Sequence, residues 1–154
     1  MELFSLVTHP SPSLRERSLA VDQAEITTSA FQAYLDRLSQ TMMIKDGIGI
    51  ASPQVGINKR VIVVLFNDQA ECFINPEILK SSQELVEGEE GCLSVPGVYG
   101  LVLRAKRIRV RATDRHGRTR EFDARHLPAT VFQHEIDHLN GILFIDKMTA
   151  RTHV

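Results

Sequence analysis

Several things are scarce in this sequence of 154 residues. It has two cysteines, Cys72 and Cys92, too few for the disulfide framework of a small secreted domain. Free thiols in a reducing compartment are the expectation, and a cysteine with a function there is a metal ligand or a nucleophile. No apolar run is long enough to cross a bilayer, so no membrane association is expected. The opening "MELFSLVTHPSPSLRERS" lacks the basic start and apolar core of a secretion signal, which points to a cytoplasmic location. Net charge is also scarce. Eighteen basic residues face nineteen acidic ones, for a formal charge of -1, so no global field pulls the chain toward nucleic acid. There is no internal repeat, low-complexity tract or linker, and residues 1–154 read as one domain.

What is present is a set of alternating and helical patterns. "AFQAYLDRLSQTMM" places Phe31, Leu35, Leu38 and Met42 at helical spacing, and Gly47 is the expected left-handed stop. "RVIVVLF" (60–66) reads as a buried strand, and "ECFINPEIL" as a second extended segment bent at Pro76. "KRIRVRATD" (106–114) alternates basic residues with Ile108, Val110 and Ala112, the mark of a half-buried strand. "DRHG" turns the chain, "RTREFDA" returns, and a helix around 127–139 ends at "NG". Strands in runs, with one helix before and one after, indicate an α+β fold with a largely antiparallel sheet.

The second helix carries "TVFQHEIDHLNG". Residues four apart on a helix project about 40° apart and about 6 Å along the axis. His134 and His138 therefore share a face and can share a metal ion. Glu135, one step on, can reach a metal-bound water without being a ligand. Apolar Val131, Phe132, Ile136 and Leu139 bury this helix, which argues against two ordinary surface histidines. A catalytic metal usually takes three protein ligands and keeps one position open. After His138 only His153 remains, at the end of the sequence. Cys92, in "EGEEGCLSVPG" (87–97), is the stronger candidate, since thiolates bind zinc and ferrous iron well. Alone, Cys92 would read as a small buried hydrophobe.

"GIGIASPQVG" (47–56) lacks the third glycine of a dinucleotide loop and follows a helix, not a strand. By itself it reads as a turn into the strand at 60. Its glycines permit close approach of backbone to a ligand, and Gln54 offers an amide to a substrate oxygen.

"GIGIASPQ", "EEGCLS" and "QHEIDH" together resemble the three signature motifs of the peptide deformylases, in order and at similar spacing. "THPSPSLR" and "FINPEIL" are similar too, so the resemblance spans nearly the whole chain. It implies antiparallel sheets surrounding the helix that bears the histidines, and removal of the formyl group from the N-terminal formyl-methionine of new polypeptides. It implies Cys92, His134 and His138 as ligands of ferrous iron, with zinc or another divalent ion as substitute. Glu135 matches the general acid/base. Gln54 and the N–H of Leu93 match the groups that hold the formyl oxygen. Gly49 matches the glycine lying against the substrate, and Ile48, Leu127 and Val131 fall where the methionine pocket is lined.

Two departures are visible. Ser52 stands where alanine is commoner, a change expected to be tolerated. Thirteen residues follow Gly141, too few for the long charged C-terminal helix of many bacterial members. A compact monomer with at most weak ribosome contact is the expectation. The basic stretch from Arg104 to Arg120 is the concentrated alternative for such a contact. It reads first as a solvated strand face balanced by Glu84, Glu87, Glu89 and Glu90. An endopeptidase with the same helix motif and a metal-free RNA-binding module are the competing functional readings.

Overall fold

The computed structural model describes residues 1–153. Among these residues three α-helices form: α1 (Gln23–Ile26), α2 (Ser29–Ile44) and α3 (His126–Leu139). Five strands make one antiparallel sheet in the order β1 (Gly49–Ala51), β2 (Val61–Phe66), β3 (Gln69–Ser81), β6 (Arg107–Thr113), β7 (Thr119–Arg125). Three more make a second sheet in the order β4 (Leu85–Cys92), β5 (Val95–Ala105), β8 (Met148–Thr152). The architecture is α+β, as the patterns indicated.

Period-two alternation explains the layering. On β2, Val61 and Val63 face α2, packing with Leu35, Leu38 and Met42. Ile62 and Val64 face the other way, packing with Val131, Phe132 and Ile136 of α3. A strand covered on both faces needs apolar residues at every position, which is why "VIVV" is continuous. On β6, Ile108, Val110 and Ala112 face α3 while Arg107 and Arg111 are exposed. The α3 helix thus lies between the two sheets. Its Gln133 side chain also bonds both the N–H and the C=O of Ala105, at 3.0 and 2.9 Å, tying it to β5.

Several expectations are corrected. The left-handed residue after α2 is Asp46 (φ 57), not Gly47. The α2 helix already ends at Ile44, and aspartate tolerates this conformation better than most residues. The stretch at 47–56 is not a plain turn: Gly49–Ala51 pairs with β2, and Ser52–Val55 forms a single 3-10 turn. Residues 87–97, to which the sequence reading assigned no element, are largely strand. They lie in a β4–β5 hairpin whose glycines and acids masked its alternation. Pro76 does mark a bend. The β3–β6 register shifts there, with Asn75 left-handed and its amide bonded to the Val21 backbone at both ends.

The basic face was also misread in part. Arg104 is buried on β5, bonded to Glu90 and Asp137. Arg109 pairs with Glu121 and Asp123, Arg111 with Glu77, and Arg115 with Asp36. Only Glu84 and Glu90 of the four named carboxylates pair with this stretch, to Lys106 and Arg104. Ser52 is fully buried, and its hydroxyl bonds the Ile57 carbonyl and the Tyr34 hydroxyl, so it is used as well as tolerated.

Candidate metal centre

Three side chains converge between the sheets. Cys92 ends β4, and His134 and His138 sit one turn apart on α3. One ligand atom from each lies within 4.8 Å of the other two. Cys92 Sγ is 3.3 Å from His138 Nε2. His134 Nδ1 is 2.8 Å from Glu90 Oε1, which leaves Nε2 free to face the cluster. A thiolate and two imidazoles suit a borderline or soft divalent ion. One buried polar atom at the site, Glu135 Oε1, has no hydrogen-bond partner among the described residues. Such orphaned atoms are rare in protein interiors and fit a site meant for a further group. The donor set therefore fits a metal.

The electrostatics come from burial and a charged scaffold. Burial pushes the Glu135 carboxyl up to about 7, with the charge of His134 pulling against it. Burial holds His138 well below its usual range, favouring the neutral form that binds metals. Burial also disfavours a charge on His134, yet Glu135, Cys92 and Glu90 outweigh it and raise that pKa. A cation at Nε2 competes with the proton, so metal uptake releases it. Glu90 is itself held down to about 2: burial would raise it, but bonds from His134 and Arg104 prevail.

An open groove of about 490 Å³ leads to the cluster. Ile48, Gly49, Gln54, Leu93, Leu127 and Val131 all line it, beside Cys92, His134 and Glu135. His138 lies fully buried behind. Ile48 and Leu127 are half-exposed at the mouth and Val131 is buried deeper, giving an apolar wall. The Gln54 amide is oriented at both ends. Its oxygen accepts from the Ala51 N–H at 2.9 Å, and its nitrogen points to Ser94 Oγ (3.2 Å) and Cys92 Sγ (3.6 Å). Gly49 is set against α3 so closely that a Cβ there would meet Glu135 Oε2 at 2.6 Å and Val131 Cγ1 at 2.8 Å.

The sequence reading missed the scaffold behind His134. Arg104 donates to both oxygens of Glu90 at 2.9 Å, and to Asp137 at 2.6 Å. Lys147 adds a further contact to Asp137. One signal was available. Glu90 and Cys92 are two apart on one strand and so share a face.

A family model described as polypeptide deformylase matches residues 3–153. The chain belongs to the peptide deformylase family. A peptide deformylase from Syntrophomonas wolfei is 48% identical over 147 residues, covering 96% of this chain and 94% of that one. Peptide deformylase 2 of Xanthomonas axonopodis is 43% identical over 152 residues, covering 97% and 89%. Among solved structures, the Thermotoga maritima peptide deformylase superposes with a TM-score of 0.92 at 36% identity, covering 97% and 99%. The actinonin-bound class I type b peptide deformylase from Acinetobacter baumannii gives 0.92 at 38%, covering 97% and 100%. Peptide deformylases are metal-dependent hydrolases that remove the N-terminal formyl group from nascent polypeptides.

Proposed function

We propose that this groove deformylates nascent formyl-methionyl chains, with Cys92, His134 and His138 holding a divalent cation, natively ferrous iron. The observation that carries the assignment is the 4.8 Å cluster of one thiol and two imidazoles beside buried Glu135. When bound, the ion supplies Lewis acidity and brings the pKa of a water toward neutrality. Glu135, buried beside the cluster, takes the water proton as attack on the formyl carbon begins, and returns it to the leaving amine. The Gln54 amide and the Leu93 N–H donate to the formyl oxygen as charge develops there, a stabilisation worth several kcal/mol in such sites (about 3–4 per donor). Ile48, Leu127 and Val131 receive the methionine side chain, and the backbone of Gly49 lies along the substrate.

Ferrous iron is the ion the family resemblance implies, with zinc as substitute; a thiolate ligand donates more charge than a third histidine and weakens the ion as a Lewis acid, so the identity of the ion should matter. No helix among the described residues is long and apolar enough to cross a membrane. A cytoplasmic monomer that meets its substrate at the ribosome completes the reading.

The deciding experiment is turnover by anaerobically purified protein, with metal content measured in parallel. Formyl-methionyl peptides should release formate while unformylated peptides and internal peptide bonds stay intact. Cleavage of internal bonds would instead mark an endopeptidase.

A further inference from the structure

A second open groove, of about 510 Å³, lies where β3, β6 and β7 end on the outer face of the five-stranded sheet. Its walls carry Lys80, Arg107, Arg109 and Arg125, with Ser81 and Ser82 beside them. The register shows why this place is unusual. Elsewhere on this face the arginines are answered by acids: Arg109 opposes and bonds Asp123, and Arg111 opposes Glu121 and bonds Glu77. At the last row, Arg107 is directly opposite Arg125. Both are exposed, and neither they nor Lys80 make an ion pair among the described residues. Like charges directly opposite on an antiparallel pair are destabilising. An arrangement that costs stability and is left unrelieved in a concave site calls for an anion.

The other charges facing the groove do not cancel it. Asp123 is held by Arg109, and Glu84 by Lys106, although Glu84 also feels Arg107 and His126. Adjacent strands lie about 4.8 Å apart, so cations on β3, β6 and β7 span roughly 10 Å. Two successive phosphates of one nucleic-acid strand fill that span. The groove has serine hydroxyls but no aromatic side chain, and its Ile108 and Ala124 are buried. It lacks the apolar anchor site on which protein–protein contacts concentrate their energy.

We infer that the Lys80–Arg107–Arg125 groove binds the phosphodiester backbone of RNA, docking the enzyme where nascent chains emerge. The docking role rests on the deformylase reading; the RNA site does not. Within the stretch Arg104–Arg120 most arginines are already paired, so Arg107 is the residue it contributes to this site.

The test is anisotropy with a fluorescein-labelled RNA hairpin, on the metal-loaded full chain. Two phosphate contacts give a log–log salt slope of about -1.4 to -1.8, a loss of roughly 7- to 12-fold in affinity between 50 and 200 mM salt. The double variant Arg107→Glu/Arg125→Glu should lose at least about tenfold at low salt. It should keep turnover on a short formyl-methionyl peptide. Arg125→Glu alone should weaken RNA binding while its Tm stays equal or rises, since it relieves the opposed pair. Lys80→Glu/Arg107→Glu repeats the test away from the start of α3, should the first double variant fail to fold. Unchanged RNA affinity in the folded variants would overturn the site, as would salt-independent binding. So would polyglutamate binding as tightly as RNA, or binding of inorganic phosphate alone. Wild type that binds RNA but releases no formate would remove the deformylase reading and leave the groove standing. Turnover without RNA binding would do the reverse.

Discussion

Glu90 Oε1 lies 2.8 Å from His134 Nδ1, and Arg104 grips the same carboxylate at both oxygens. One buried acid thus fixes the ring orientation of one proposed ligand and is itself fixed by a buried cation. His138 has no such support, since its Nδ1 has no partner among the described residues. The two imidazoles are thus held differently, His134 by a charged scaffold and His138 by the packing around a fully buried ring.

Glu90→Gln should loosen the metal. Partners behind a ligand histidine typically account for about 10- to 100-fold in metal affinity or activity. The amide keeps an acceptor for His134 but loses the charge that balances Arg104. Competition with a chelator, followed by metal analysis, reads the effect. Affinity equal to wild type would mean that Glu90 serves the fold and not the ligand.

The same acid makes stability depend on pH. Its folded-state pKa is about 2, against 4.5 for an unperturbed glutamate. A depressed carboxylate contributes its full stability above the unfolded value and loses it as pH falls through the folded value. Denaturant melts of the metal-free protein should show wild type losing its advantage over Glu90→Gln as pH drops from about 5 toward 2. A constant gap across that range would contradict the assignment.

Glu135→Gln should keep the metal and lose about 100- to 10,000-fold in turnover, the usual contribution of a general acid–base group. The amide is nearly isosteric, so Cys92, His134 and His138 need not move. Normal metal content with full activity would deny Glu135 the proton-transfer role.

How much of this was legible in the sequence follows from where each signal is stored. The histidine pair and Glu135 lie within one helical turn, so local periodicity exposed them. The strands of the five-stranded sheet were legible wherever one face alternates, as at Ile108, Val110 and Ala112. The β4–β5 hairpin was not, because its exposed face carries Glu87 and Glu89 and its glycines answer distant contacts. A Cβ on Gly91 would strike the Tyr99 ring at 2.6 Å, and one on Gly100 would strike Met148 Sδ. Arg104 looked like one more surface arginine because its partners, Glu90 and Asp137, are distant in sequence. Long-range pairing of buried charges leaves no local pattern.

Cys92→Ser should strip most of the metal. A hydroxyl is harder and far less acidic than a thiol, so it does not replace a thiolate at a site for iron or zinc. Metal content after dialysis, measured by mass spectrometry, should fall well below one ion per chain. Retention at wild-type affinity would remove Cys92 from the ligand set. The thiolate faces an open groove, so oxidation in air should inactivate the enzyme, and a reductant added early should protect it.

Gly49→Ala tests how the two halves of the groove are fitted together. The added methyl would sit 2.6 Å from Glu135 Oε2 and 2.8 Å from Val131 Cγ1, closer than real Cβ contacts allow. Strand β1 is an edge strand pairing only with β2, so it can shift, whereas α3 is clamped between the sheets and cannot easily yield. The strain should therefore appear as a displaced β1 or a rotated Glu135 side chain. Overpacking of this kind typically costs about 1–3 kcal/mol of stability. Turnover should fall more than stability does, because both the proton carrier and the wall along the substrate move. The metal ligands lie on β4 and α3, so metal content should stay normal. Activity, Tm and metal content measured on one preparation separate these effects. Full activity with normal stability would mean that the groove tolerates the methyl and that the close approach at Gly49 has no role in catalysis.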